Sequence, residues 1–454
     1  MFNTSRRKFL NYSFKTMAAA GATGILGRLG TMTAYATGNS SNSNYKALVC
    51  VFLYGGNDGH NTLIPIATPA QTYTNYATAR SSLALPQGQL WPIAAGAGNT
   101  YGLHPKLKEI QGLYGLGKAA FLANVGSLVV KTTRPQYLQQ SVQLPDSLFS
   151  HSNQQNQWQT ASPHDFATAG WGGRAADILA SANINAPSQF PMIVNAGGGS
   201  LFSAGAATNP TTVQPGGSLG LNSTGLSSRS TAYQQLLSFD NGLQLMQASN
   251  SITTRGINDA ALLKVALGSA PTLHTVFPAS TLGAQMKLVA QILSVRGALS
   301  MNRQIFFVSL GGFDTHSNQL PDQDALLQDV SQSLNALYTA TVEMGVDQSV
   351  TAFTNSEFGR TLQPSSGGGT DHAWGSHAMI VGGAVHGGAL YGTFPSLAFG
   401  GPDDANTRGT LIPTTSVEQY GATLAKWFGV TPTDIPTVFP GLGATFAPDL
   451  GFMG

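Results

Sequence analysis

The sequence has one cysteine, Cys50, in 454 residues. A lone thiol cannot form a disulfide within the chain, so a disulfide-stapled fold is excluded. Charged residues are scarce, at 9% against about 25% in an average soluble protein. That figure excludes a charge-rich disordered chain and a coiled coil. No segment approaches about 18 uninterrupted apolar residues, so no transmembrane helix is expected in the mature chain. Strong positive charge is missing too. The net charge is +2, but five basic residues and no acidic one fall in positions 1–36. The remainder carries 17 basic and 20 acidic residues, a net charge of −3. Such a balance lacks the electrostatic footprint of a nucleic-acid binder.

Apolar residues and glycine are plentiful. The chain is 42% hydrophobic and has 54 glycines, with no collagen-like period. That is enough apolar material for a large core, with many positions where the backbone can turn tightly.

The first 36 residues read as an address. Ser5-Arg6-Arg7-Lys8-Phe9-Leu10 has the paired arginines of a twin-arginine export signal. A weakly apolar stretch follows, and Ala34-Tyr35-Ala36 offers a small-x-small cleavage site. The expectation is recognition by the twin-arginine export machinery and a periplasmic or secreted product. Residues 37–44 read as a flexible linker rich in Ser, Gly and Asn.

From residue 45 onward the pattern alternates. Tyr45–Tyr54 is a continuous apolar run suited to a strand buried on both faces. Strands are also expected at 119–125, 191–195, 304–310, 349–353 and 378–381. Helices are expected at 105–117, 285–299, 322–344 and 417–428, from apolar residues at helical spacing. This order predicts one α/β domain over 45–454 with a largely parallel sheet. Residues 197–280 break the rhythm and read as an insertion or cap.

Ligands in open α/β sheets gather outside the carboxyl ends of the strands. The few charged residues concentrate at those ends. The first strand runs into Asp58, the 304–310 strand into Asp314 and His316, and the 349–353 strand into Glu357 and Arg360. Asp371, His372 and His377 precede the next strand. Carboxylates and imidazoles converging on one edge suit a divalent ion such as Zn²⁺ or Mn²⁺.

These motifs carry a resemblance. Leu48 to Gly59 (LVCVFLYGGNDG), Gly311-Gly312-Phe313-Asp314-Thr315-His316, Ser356-Glu357-Phe358-Gly359-Arg360-Thr361, Gly369-Thr370-Asp371-His372 and Gly382 to Gly388 resemble the DUF1501 family, in its order. The resemblance implies an alkaline phosphatase-like fold, a three-layer sandwich with a mostly parallel central sheet between helices. It also implies a metal site using Asp58, Asp314, His316, Glu357 and His372, with His377 as a further candidate. Phe358 stands where that superfamily usually has the histidine of a second metal site. The superfamily's nucleophile lies at a helix N-terminus, and Ser150-His151 matches that segment. Arg360 and Arg174 are the candidates for gripping an anionic ester.

Three functions remain open on these residues. The chain is a metal-dependent hydrolase of phosphate or sulfate esters, a non-catalytic periplasmic or envelope binding protein on the same fold, or a sulfatase-like enzyme directed at a polysaccharide.

Overall fold

A computed structural model describes residues 44–96, 98–164, 167–220, 227–239, 242–443 and 445–454. The expected export signal, its cleavage site and nearly all of the linker lie outside these residues. None of the helices among them is long and apolar enough to cross a membrane.

The frame is a nine-stranded sheet. Its strands are β1 (Lys46–Leu53), β2 (Ala119–Gly126), β3 (Ile193–Asn195), β4 (Thr211–Thr212), β5 (Arg303–Leu310), β6 (Val350–Asn355), β7 (Ser376–Gly382), β8 (Leu390–Gly392) and β9 (Thr415–Ser416). Their order is β8-β2-β7-β6-β1-β5-β3-β4, with β9 also beside β2. β1 pairs in parallel with β5 and β6, and β3 with β5 and β4. Only β7 runs against its neighbours β2 and β6.

β1 is central, and Ala47 to Leu53 are all buried, as an apolar run covered on both faces requires. Two groups of helices cover the sheet. One comprises α1 (Lys108–Gly115), α5 (Thr281–Ser294) and α6 (Gln319–Glu343). The other comprises α2 (His151–Thr160), α3 (Trp171–Ser181) and α7 (Val417–Phe428). α7 starts with a reciprocal cap, in which Ser416 accepts from the Gln419 amide and Gln419 accepts from the Ser416 amide.

The layers are therefore those of an α/β sandwich with a mostly parallel sheet. The reversal of β7 has a consequence for the site. An antiparallel strand begins where its neighbours end, so the residues preceding β7 arrive at the carboxyl edge of β1, β5 and β6. His372 reaches the site by this route.

The 197–280 segment holds an element the sequence pattern did not reveal. α4 (Gln244–Leu267) spans 24 residues. A shorter helix, Ser227–Leu237, precedes it. α4 buries only Asp259, Leu263 and Ala266, so its apolar stripe is too thin to stand out in the sequence.

Candidate metal centre

Asp314 lies in the loop after β5, and its side chain is 44% exposed. Three imidazoles surround its carboxylate. His372 Nε2 lies 3.1 Å and His316 Nε2 3.0 Å from Oδ1, and His151 Nε2 lies 3.4 Å from Oδ2. His151, Asp314 and His372 each offer a ligand atom within 4.8 Å of the others. This trio can coordinate a metal ion. His316 stands beside it, its Nε2 3.0 Å from that of His372.

The far side of each ring is anchored. His372 donates its Nδ1–H to the Phe149 carbonyl at 2.8 Å. His151 Nδ1 meets Glu357 Oε1 at 3.0 Å, and His316 Nδ1 lies 3.5 Å from Asp371 Oδ1. A neutral imidazole that donates through Nδ1 presents a lone pair at Nε2. The His372 lone pair therefore faces a carboxylate oxygen and another imidazole nitrogen. Acceptors that close repel one another unless a proton or a metal ion lies between them. Anchored rings with converging Nε2 atoms are the arrangement by which proteins orient histidine ligands.

The electrostatics agree. Burial pushes the His372 ring down from its ordinary pKa, against hydrogen bonds to Phe149 and Asp314 that favour the charged form, so it stays neutral near pH 7. Burial works against ionisation of Asp314, but the hydrogen bond and charge of Arg360, with the His372 and His316 rings alongside, outweigh it and hold its carboxyl below the usual range. One anionic and several neutral donors suit a borderline divalent cation.

Backbone geometry makes the cluster possible. Gly55 follows β1 with φ +119°, and a Cβ there would lie 2.2 Å from the Asp314 amide nitrogen. Only glycine allows the β1 and β5 loops to touch. Its N–H donates to Glu357 Oε1 at 2.8 Å, so three strand ends meet at one point. On the other side, Ser147 and Phe149 adopt φ +46° and +71°. A left-handed aromatic residue is an unfavourable conformation, and here it aims the Phe149 carbonyl at His372. The Phe358 ring stacks on His372 with centroids 4.5 Å apart and lies 4.9 Å from His151. A phenyl ring thus packs directly against two of the imidazoles.

The remaining expected site residues are distributed as follows. Asp58 is not in the cluster. It is buried, paired with the buried Arg80, and bonded by Gln319 Nε2, while Oδ1 accepts the His60 amide at 3.0 Å. A carboxylate so occupied has no oxygen left for an ion. Asp58 still connects to the cluster, because Gln319 Oε1 accepts from Thr370 at 2.6 Å, Thr370 accepts from Arg360, and Arg360 donates to Asp314 at 2.8 Å. His377 is also elsewhere. Its ring stacks on Phe394, its Nδ1 accepts the Asn124 amide, and burial, with His60 nearby, pushes its pKa to about 3. Glu357 faces His151 as a fully buried acceptor that also takes a hydrogen bond from Gln155.

Neither arginine is free for a substrate. Arg360 has a fully buried side chain that bonds Thr370, the Gly55 carbonyl and Asp314. Arg174 donates to the Val438, Ala169 and Thr160 carbonyls. Ser150 occupies the N-cap position of α2, and its hydroxyl contacts Asn153 at 3.0 Å and Ser152 at 3.3 Å rather than an imidazole. Sequence reasoning missed Arg80, Gln319 and the Phe149 carbonyl. Glutamine and a backbone carbonyl have no chemical signature at sequence level. Arg80 sits in an ordinary helix, and only its burial reveals its role.

The chain belongs to the DUF1501 family, a group described as proteins of unknown function, whose model matches residues 45–417. No curated protein matches it. Among solved structures, the Ps i-CgsB complex with k-i-k-neocarrahexaose aligns at 9% identity and TM-score 0.32, covering 89% of this chain and 77% of that one. The PsFucS1 sulfatase from Pseudoalteromonas sp. aligns at 9% identity and TM-score 0.30, covering 81% and 68%. The phosphonate monoester hydrolase of Agrobacterium radiobacter aligns at 9% identity and TM-score 0.29, covering 87% and 78%.

Proposed function

We propose that this DUF1501 protein is an exported, metal-dependent hydrolase of phosphate or sulfate esters, with a site for one divalent ion. The observation that supports it most is the convergence of His151, Asp314 and His372 on one point, two of the rings anchored from behind. Zn²⁺ or Mn²⁺ fits this donor set. When bound, such an ion supplies Lewis acidity toward an ester oxygen.

The chain's own residues divide the remaining work. Asp314, His151 and His372 hold the ion, and Glu357 and Phe149 fix the two rings. Phe358 excludes water from one side of the imidazoles. Arg360 pins one oxygen of Asp314 and keeps the carboxylate charged. Ser150 lies at the N-terminus of α2, whose free amides favour an anion, and serves as the nucleophile. His316, at the open side, is placed to hold or pass a proton. The whole of 45–454 forms one domain carrying 197–280 as an insertion, and the twin-arginine segment directs export.

A second reading, a binding protein without turnover, draws on the Ser150 hydroxyl, which bonds Asn153 rather than a base. Turnover separates the two. Protein loaded with Zn²⁺ or Mn²⁺ is expected to hydrolyse an aryl phosphate or aryl sulfate, and to lose that activity on chelation and in Ser150→Ala. Stoichiometric metal with no turnover of either ester class would leave the binding protein.

A further inference from the structure

The cluster sits on an open shelf. The side chains of His316, Asp314 and His151 are 46%, 44% and 35% exposed. A site for a small molecule buries about 70–90% of its ligand, and its reactive groups lie at the bottom of a cleft. Here Asp314, His316 and His151 lie at the surface, with His372 22% exposed beside them. Two large cavities among the described residues, about 730 and 780 Å³, are lined by residues 188–263 and include none of the cluster.

The surroundings are open as well. Gly311 and Gly312 on one side and Gly367 and Gly368 on another are exposed and present no side chain over the site. The groups that flank the histidines are hydroxyls and amides: Ser152 and Asn153 after His151, Ser317 and Asn318 after His316, and Ser365 and Ser366 on the neighbouring loop. The cations close by are occupied, since Arg360 is buried on Asp314 and Arg408 pairs with Asp371 at 2.6 Å.

We infer that the site acts on an ester group carried by a long, neutral or sparsely charged polysaccharide chain, which lies across the open shelf while the ester reaches the cluster. This rests on the hydrolase reading and names its substrate class. Exposed reactive groups admit a substrate much larger than the site. Hydroxyls and amides suit a polyhydroxylated chain. A densely anionic polymer would find the two nearby guanidinium groups already taken, Arg360 by Asp314 and Arg408 by Asp371.

The test compares one ester in two settings. A phosphate or sulfate ester on a neutral glucan chain is set against the same ester on a single glucose unit, using Zn²⁺- or Mn²⁺-loaded protein. The chain-borne ester is expected to have at least about tenfold higher kcat/KM, mostly through a lower KM. A second readout needs no turnover: metal-free protein is expected to be retarded in native gels containing the unesterified glucan. Equal or better turnover of the glucose ester, or unretarded mobility, would overturn the inference. If neither ester is hydrolysed although metal is bound, the hydrolase reading fails and takes this substrate assignment with it, whatever the gels show.

Discussion

The His151 imidazole and the Glu357 carboxylate meet at 3.0 Å although 206 positions separate them in sequence. One is the first residue of α2 and the other follows β6. Glu357 Oε1 also accepts from Gly55 and Gln155, so a single buried oxygen gathers the ends of β1, β6 and α2. The carboxylate acts on the cluster through the ring it orients.

Removing that charge should therefore be felt as metal affinity. Glu357→Gln keeps the size of the side chain but weakens its hold on His151 Nδ1. Metal affinity is expected to fall about 10- to 100-fold, as it does when partners of ligating histidines are removed. Competition titration with a chromogenic chelator reads this directly. Affinity within twofold of the parent would show that Glu357 does not orient a ligand.

Asp58 calls for the opposite result. Its carboxylate pairs with buried Arg80, so Asp58→Ala leaves an uncompensated guanidinium inside the protein. The expected cost is about 3–5 kcal/mol of folding stability. Urea unfolding measures the loss, and metal stoichiometry of the folded fraction should be unchanged. A variant of normal stability that has lost its metal would restore Asp58 as a ligand.

A pH effect is expected away from the site. Glu418 is fully buried in the first turn of α7, its carboxylate oxygens have no hydrogen-bond partner, and burial raises its pKa to about 7 despite the charge of Arg174. The folded protein thus holds this proton more tightly than the unfolded chain. The stabilisation is complete below about pH 4.5 and is lost as pH rises through about 7. The difference corresponds to about 3 kcal/mol. Glu418→Gln, which cannot ionise, should flatten that part of the stability profile and leave the variant more stable than the parent at pH 8. Denaturation midpoints from pH 5 to 8 test this. Parallel profiles for the two proteins would contradict it.

Much of this architecture is legible in the sequence because the apolar runs are unambiguous. Tyr45–Tyr54 and 304–310 fit buried strands by their length and β-forming residues, which sets the polar residues after them at the carboxyl edge. Asp314, His316, Glu357 and His372 were expected at that edge and are brought together there. Asp58 stands at an equivalent strand end, yet Arg80 claims it, and a buried ion pair across 22 positions has no periodic signature. His377 differs from His372 by five positions, but it lies inside β7, where its ring turns into the core against Phe394. The reversal of β7 cannot be read from periodicity, because parallel and antiparallel buried strands share the same apolar pattern. Arg360 looked like an anion grip, since a guanidinium in a glycine-rich loop has that chemistry; its burial is a tertiary property.

The most direct test is metal stoichiometry in purified protein and its single variants, measured by elemental analysis. The parent protein supplied with Zn²⁺ or Mn²⁺ is expected to hold one ion per chain. His151→Ala, Asp314→Ala and His372→Ala should each reduce this severely, while His377→Ala retains it in the folded fraction. Metal-free parent protein after exposure to both ions, or full occupancy in Asp314→Ala, would contradict the proposed centre.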